Sequence, residues 1–236
     1  MTCAVVLPGA GSDDRFVRSA FAAPLAALQI ELIVPSPPFG ADVVGAYRSA
    51  LDCAALGPGA LLVGGISLGA HVAVRWAAAE PERRLAGLLL ALPAWTGPPG
   101  SAPAALAARL TAAQVRAGGV EAAVAAAATG APTWLAAELA RAWHRHGDEL
   151  APGLESAGAE PGPTAAELAG LDVPAGVAAL VDDPVHPLAV ARQWQHLLPR
   201  SALVTAQLAA FGHDPETIGR AALLGWLRAA RGRSRG

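Results

Sequence analysis

The sequence predicts an α/β fold: a mostly parallel central sheet with helices on both faces and a helical cap inserted after the fourth strand. Three observations predict it. Short runs that are apolar at almost every position alternate with helix-period segments, as strands covered on both faces require. One such run ends in Gly65-Ile66-Ser67-Leu68-Gly69 and passes at once into an Ala-rich helical pattern. Between Thr96 and about Gly170 the alternation stops, and only helical patterns broken by Pro and Gly remain.

Taken in order, Cys3 to Leu7 reads as a buried strand and Pro8 to Ser12 as the loop after it. Asp13 or Asp14 can cap the next helix, in which Phe16, Val17, Phe21, Leu25 and Leu28 share a face and Pro24 bends the end. Ile30 to Val34 is a second strand, stopped by Pro35-Ser36-Pro37-Pro38. Asp42 opens a helix with Val43, Tyr47, Ala50 and Leu51 on one side, closed by Gly57-Pro58-Gly59. The strand Ala60 to Ile66 and a helix ending at Glu80-Pro81 follow, then a fourth strand, Leu85 to Leu92. In the helical stretch, Trp134, Leu135, Leu139 and Trp143 need a surface to pack on, which favours a folded cap over a low-complexity linker. Alternation resumes with Gly176 to Val181, a helix from Leu188 to Leu198 and a strand from Ala202 to Gln207. A loop, Phe211-Gly212-His213-Asp214-Pro215, leads to the last helix, Glu216 to Ala230, with Asp214 as N-cap. The expected organisation is a core of 1–95 and 171–230, a cap of 96–170 and a disordered basic tail of 231–236.

Composition bounds the function. With 236 residues, 53% apolar and 15% charged, the chain can bury a sizeable core. A net charge of −2 gives no reason to expect nucleic acid or an anionic membrane as partner. All 17 basic residues are arginine, which removes lysine Schiff-base chemistry and a P-loop lysine. Cys3 and Cys53 are isolated in apolar surroundings and fit no zinc spacing, so two reduced core thiols, a cytoplasmic setting and no metal are expected. No targeting or membrane-spanning segment is apparent.

The pentapeptide around Ser67 has the form of a nucleophile elbow. A serine hydroxyl attacks poorly unless it is held clear of the sheet, beside a base and over backbone N–H groups. A sharp strand-to-helix turn does this, and Gly65 and Gly69 relieve the crowding it causes. The plain alternative is a Gly-rich turn after a strand. Against it, carboxylates and histidines follow at later strand ends, in the order serine, aspartate, histidine.

In these features the chain resembles the α/β-hydrolase family. Gly65-Ile66-Ser67-Leu68-Gly69 is similar to the family's elbow, Asp182-Asp183-Pro184-Val185-His186-Pro187 to its acid loop, and Gly212-His213 to its histidine loop. The chain starts at what would be the family's third strand. The resemblance implies Ser67 as nucleophile, Asp183 rather than Asp182 as acid, and His213 as base. His71, His144, His146, His186 and His196 are then structural or surface histidines. It implies an oxyanion hole of the Leu68 and Ala10 N–H groups, although Pro8 stands where the family often has histidine. Trp95, Phe39 and Trp134 are candidates to line an acyl pocket. Arg141 and Arg145 read as a solvated face, or as partners for a substrate carboxylate. The expected activity is cofactor-independent cleavage of a carboxylic ester through an acyl-enzyme, on a small-molecule acyl substrate. The alternatives are a thioesterase for carrier-bound acyl chains and a small-molecule binder that retains the three residues.

Overall fold

The computed structural model describes residues 2–36, 39–80 and 84–232. Pro37, Pro38 and Pro81 of the expected turns, and residues 233–236 of the expected tail, lie outside the described residues. Six strands form one sheet: β1 (Cys3–Leu7), β2 (Glu31–Ile33), β3 (Leu61–Ile66), β4 (Leu85–Ala91), β5 (Ala175–Leu180) and β6 (Ser201–Ala206). They are all parallel, in the order β2-β1-β3-β4-β5-β6. The chain steps outward from β1 to β2, then returns to the other side of β1 and continues through β3 to β6. The strand order therefore reverses between β1 and β3, where open α/β sheets form their ligand crevice beyond the carboxyl ends. Leu7 is in register with Gly65, so the loops after β1 and β3 leave the sheet side by side.

Alternate side chains of these strands feed two cores. Ala4 and Val6 of β1, Leu62 of β3 and Leu89 of β4 pack under α1 (Asp14–Ala26) and α10 (Glu216–Arg231), with Phe21, Leu25, Ile218 and Leu223. Val5, Leu7, Val63, Leu88 and Leu90 face the other way. They meet α2 (Val43–Ala55), α3 (Leu68–Ala79) and α8 (Leu188–Leu197) through Tyr47, Leu51, Val72, Trp76 and Trp194. Both faces are covered, which is why the strands carry almost no polar side chains. The last helix runs to Arg231, one residue beyond its expected end. Cys3 is half-buried and Cys53 exposed, both as free thiols, so the expectation of two core thiols fails at Cys53, which sits on the outer side of α2.

Between β4 and β5 every regular element is helical: α4 (Pro103–Gly130), α5 (Thr133–His146), a 3-10 turn (Gly147–Glu149), α6 (Leu150–Ala159) and α7 (Ala165–Ala169). α4 is two helical segments across a kink at Gly118 and Gly119; Gly119 has φ +75°, which a side chain would strain. Trp143, Leu150 and Leu154 join the core that also holds Val5, Leu7 and Leu68. The insertion thus shares a core with the sheet. None of the helices among the described residues is long and apolar enough to cross a membrane.

A charged clamp reinforces this docking. Asp13 caps α1 by accepting from the Phe16 amide at 3.2 Å, and its side chain is only 4% exposed. Arg141 of α5 donates to both of its carboxylate oxygens, at 2.7 and 2.8 Å, and Arg145 to one at 3.0 Å and to Asp14 at 2.7 Å. Glu138 pairs with Arg141 from the same helix. His146 bonds the Ser12 carbonyl through Nε2 at 3.0 Å. Arg141 and Arg145, expected on a solvated face or against a substrate, instead tie the insertion to the start of α1, just beyond the loop 8–12. Burial alone raises the Asp13 carboxyl, but the two guanidinium groups and the Phe16 amide outweigh it and hold it far below the usual carboxylate range.

A group held below its unfolded value stabilises the fold above that value and loses its contribution only as acid protonates it. Asp13→Asn keeps an oxygen for the Phe16 amide but removes the charge. We expect it to cost about 3 kcal/mol in urea unfolding at pH 7, the scale of a broken buried pair. The gap from wild type should close only below the ordinary carboxylate range; a gap independent of pH would contradict the assignment.

Candidate active site

Ser67 sits at the carboxyl end of β3 with φ +52° and ψ −112°, a conformation that non-glycine residues rarely adopt. It is kept there from both sides. Its amide donates to the Ala91 carbonyl of β4 at 2.9 Å, and its carbonyl accepts from the His71 amide at 3.1 Å in the first turn of α3. A Cβ on Gly65 would collide with the Gly69–Ala70 backbone, and one on Gly69 would reach the Leu7 carbonyl and come within 2.7 Å of the Pro8 carbonyl. The glycines expected from the pentapeptide are thus required by packing on both sides. The hydroxyl stands at the start of α3, where free N–H groups and the helix dipole favour negative charge.

The histidine beside this hydroxyl is His186. Its Nε2 lies 3.0 Å from Ser67 Oγ and its Nδ1 lies 2.9 Å from Asp183 Oδ2. Asp183 makes this possible by folding its own turn: Oδ1 accepts from the Val185 amide at 2.7 Å and from the His186 amide at 3.1 Å. Carboxylate and imidazole, three residues apart, are therefore held by one tight turn after β5. With Nδ1–H donated to Asp183, the network assigns Nε2 as the acceptor for the serine hydroxyl. The Asp183 and His186 side chains are only 8% and 17% exposed. Burial pushes the Asp183 carboxyl up, but the bond and charge of His186 and the two amides prevail and leave it below its ordinary value.

This corrects the expectation for His213. The stretch read as a histidine loop is a helix, α9 (Leu208–His213), and His213 is exposed at its last position. Asp182 explains the helix, since its Oδ1 caps the Leu208 amide at 2.7 Å. Gly212 allows the close approach of the Trp134 indole, which leaves no room for a side chain there. The two neighbouring aspartates have separate tasks: Asp182 starts α9 and Asp183 orients His186. His186 escapes an expectation that places the three groups on three separate loops. The signal was present in Asp183-Pro184-Val185-His186-Pro187, where an Asx turn returns a side chain at the third position to its own carboxylate.

The other predicted residues fall as follows. The Leu68 amide opens α3 directly after Ser67. Ala10 lies between Gly9, whose absent side chain leaves it packed against Ile66 and Ser67, and Gly11, at φ +69° beneath the Trp143 indole. Trp95 is buried and packs edge-on against His71 at 4.5 Å. Phe39 is buried against His146 and lines a cavity of about 320 Å³ with Pro8, Ser12, Tyr47, Arg145 and Glu149; Ser67 is not on its wall. Trp134 stacks edge-on against Phe211 of α9 at 5.4 Å. Phe39 and Trp134 thus serve the packing of the insertion and of α9. His144 pairs with Glu121 on the surface. No cluster of metal-ligating side chains is present among the described residues.

No protein-family model matches the chain, and no curated protein matches it. Solved structures do. A thermophilic esterase from Thermogutta terrifontis is similar over 97% of this chain and 90% of its own, with a TM-score of 0.70 at 18% identity. The enol-lactonase from Burkholderia xenovorans LB400 matches 87% of this chain and 82% of its own, with a TM-score of 0.64 at 17% identity. The esterase RhEst1 from Rhodococcus sp. ECU1013 matches 86% and 81%, with a TM-score of 0.62 at 18% identity. The all-parallel sheet, the elbow at the end of β3 and these similarities along nearly the whole chain give one conclusion: the protein has the α/β-hydrolase fold.

Proposed function

We propose that the protein is a cofactor-independent serine hydrolase that cleaves a carboxylic ester through an acyl-enzyme, with Ser67 as nucleophile, His186 as base and Asp183 as the orienting acid. The observation that carries this reading is the continuous chain of hydrogen bonds from Ser67 Oγ through both ring nitrogens of His186 to Asp183, at 3.0 and 2.9 Å. Ser67 Oγ attacks the ester carbonyl while His186 Nε2 takes its proton. The carboxylate of Asp183 holds the ring in the tautomer that can accept and stabilises the imidazolium that forms. The tetrahedral oxyanion rests on the Leu68 and Ala10 N–H groups, at the head of α3 and in the loop after β1. His186 then protonates the leaving alcohol. Water, deprotonated by the same nitrogen, releases the acid and restores the serine.

The expected outcomes separate the two histidines. Ser67→Ala abolishes labelling by a fluorophosphonate probe. His186→Ala lowers kcat on a 4-nitrophenyl ester by about 10³-fold or more, whereas His213→Ala stays within about twofold of wild type. Retained activity in His186→Ala with loss in His213→Ala would reverse the assignment.

The two aspartates separate in the same way. Asp183→Asn can still accept backbone amides through its remaining oxygen, but it no longer provides a carboxylate for Nδ1–H. Its kcat is expected to fall by about 10²- to 10⁴-fold with little change in melting temperature. Asp182→Asn retains an oxygen for the Leu208 amide and should keep near-normal kcat. Steady-state kinetics beside a thermal melt check both; equal losses in the two variants would count against this division of roles.

A further inference from the structure

His71 is one helical turn beyond Ser67 and has no accessible surface. A buried histidine on a helix face is ordinarily a packing residue, but this one bonds a specific partner. Its Nε2 accepts from two consecutive backbone amides, Ala94 at 3.1 Å and Trp95 at 3.4 Å. Those amides lie just past β4, where the chain leaves the sheet. The last ladder bond there is from the Leu92 amide to the Ala178 carbonyl at 2.8 Å. Leu92 itself has φ +51°, a strained turn for a branched side chain, and Pro93 has no N–H to offer. Without an acceptor at Nε2, two buried amides would be unpaired directly after a strained turn.

From this turn the contacts continue toward the base. Trp95 packs edge-on against the His71 ring, and Trp194 of α8 packs against it with centroids 5.4 Å apart. Trp194 Nε1 donates to Thr96 Oγ1 at 3.0 Å, and Thr96 Oγ1 donates to Gln193 Oε1 at 3.0 Å. Helix α8 begins at Leu188, two residues after His186. A closed circuit therefore runs from Ser67 along α3 to His71, across to the loop after β4, on to α8 and back to His186.

We infer that His71 is a positioning residue for the Ser67–His186 pair: as a neutral, doubly accepting imidazole it locks the strained loop after β4 and, through Trp194, the helix that follows the base. This rests on the reading of Ser67 and His186 as nucleophile and base. Accepting at Nε2 places the single ring proton on Nδ1, which is buried and has no hydrogen-bond partner among the described residues. Protonation would cost both amide bonds. Burial, and after it the charges of His186 and Arg75, push the group down to about 3, so it stays neutral through the range in which an ordinary histidine titrates. The ring therefore places no second positive charge beside His186.

Two measurements test this. Nitrogen-15 NMR of the full chain, run also on Ser67→Ala so that activity is irrelevant, should show His71 as the neutral Nδ1–H tautomer from pH 4 to pH 8. An Nε2–H tautomer, or titration near the ordinary histidine value, overturns the inference. For kinetics, His71→Gln places an amide oxygen near the position of Nε2, and His71→Leu fills the space without an acceptor. We expect His71→Leu to lose about 10- to 100-fold in kcat and in the rate of fluorophosphonate labelling with KM nearly unchanged, and His71→Gln to recover most of both. A leucine variant that melts lower but keeps wild-type kcat would make His71 a packing residue only. If the leucine variant does not fold, the tautomer and the glutamine variant decide. A wild-type protein that neither reacts with the probe nor turns over any activated ester defeats the nucleophile reading itself, and the NMR result then still stands as a statement about His71 alone.

Discussion

The bend at Ser67 is the constraint on which the rest of the structure depends. A residue with a side chain is held at φ +52° between a strand buried on both faces and a helix that starts at the next residue. Such a conformation persists only when its surroundings leave no alternative. The β3–β4 ladder holds one side, the first turn of α3 the other, and Gly65 and Gly69 let neighbouring backbone approach to distances no side chain would allow. The strain is local, and two cores on either side of the sheet stabilise it.

Around that bend, the groups beside the serine differ in how they are held. His186 and Asp183 belong to one turn, closed by three hydrogen bonds to a single carboxylate. Their mutual geometry does not depend on two loops meeting, so it is set as soon as β5 ends. What the tertiary structure must supply is one relation only, between the end of β3 and the end of β5 across β4. The loop after β4 lies between them, and His71 ties it down from beneath.

The helical insertion does more than share a core with the sheet. Its α5 reaches the Ser12–Asp14 segment through Arg141, Arg145 and His146, while Trp143 lies over Gly11. These contacts converge on the loop that carries the Ala10 amide. The loop is thus gripped between the elbow on one side and the insertion on the other, an arrangement suited to holding a backbone donor still.

Much of this was legible in the residues alone. Runs such as Leu61–Ile66 and Leu85–Ala91 can only be strands covered on both faces, and the paired glycines around Ser67 allow the bend that a buried strand and an immediate helix demand. Local chemistry of that kind is written in consecutive side chains. Which histidine meets the serine was not, because six histidines compete and their distances from Ser67 depend on how separate segments pack. Gly212-His213 has the local look of a turn, yet the Asp182 cap and the Trp134 indole, from elsewhere in the chain, make it the end of a helix. In the same way Arg141 and Arg145 became clamp residues only when α5 was laid against Asp13. The sequence by itself determined the strands, most of the helices, their order and the tight bend at the serine. Tertiary packing decided the partners, since a hydrogen bond between distant residues exists only once the sheet has brought its strand ends together.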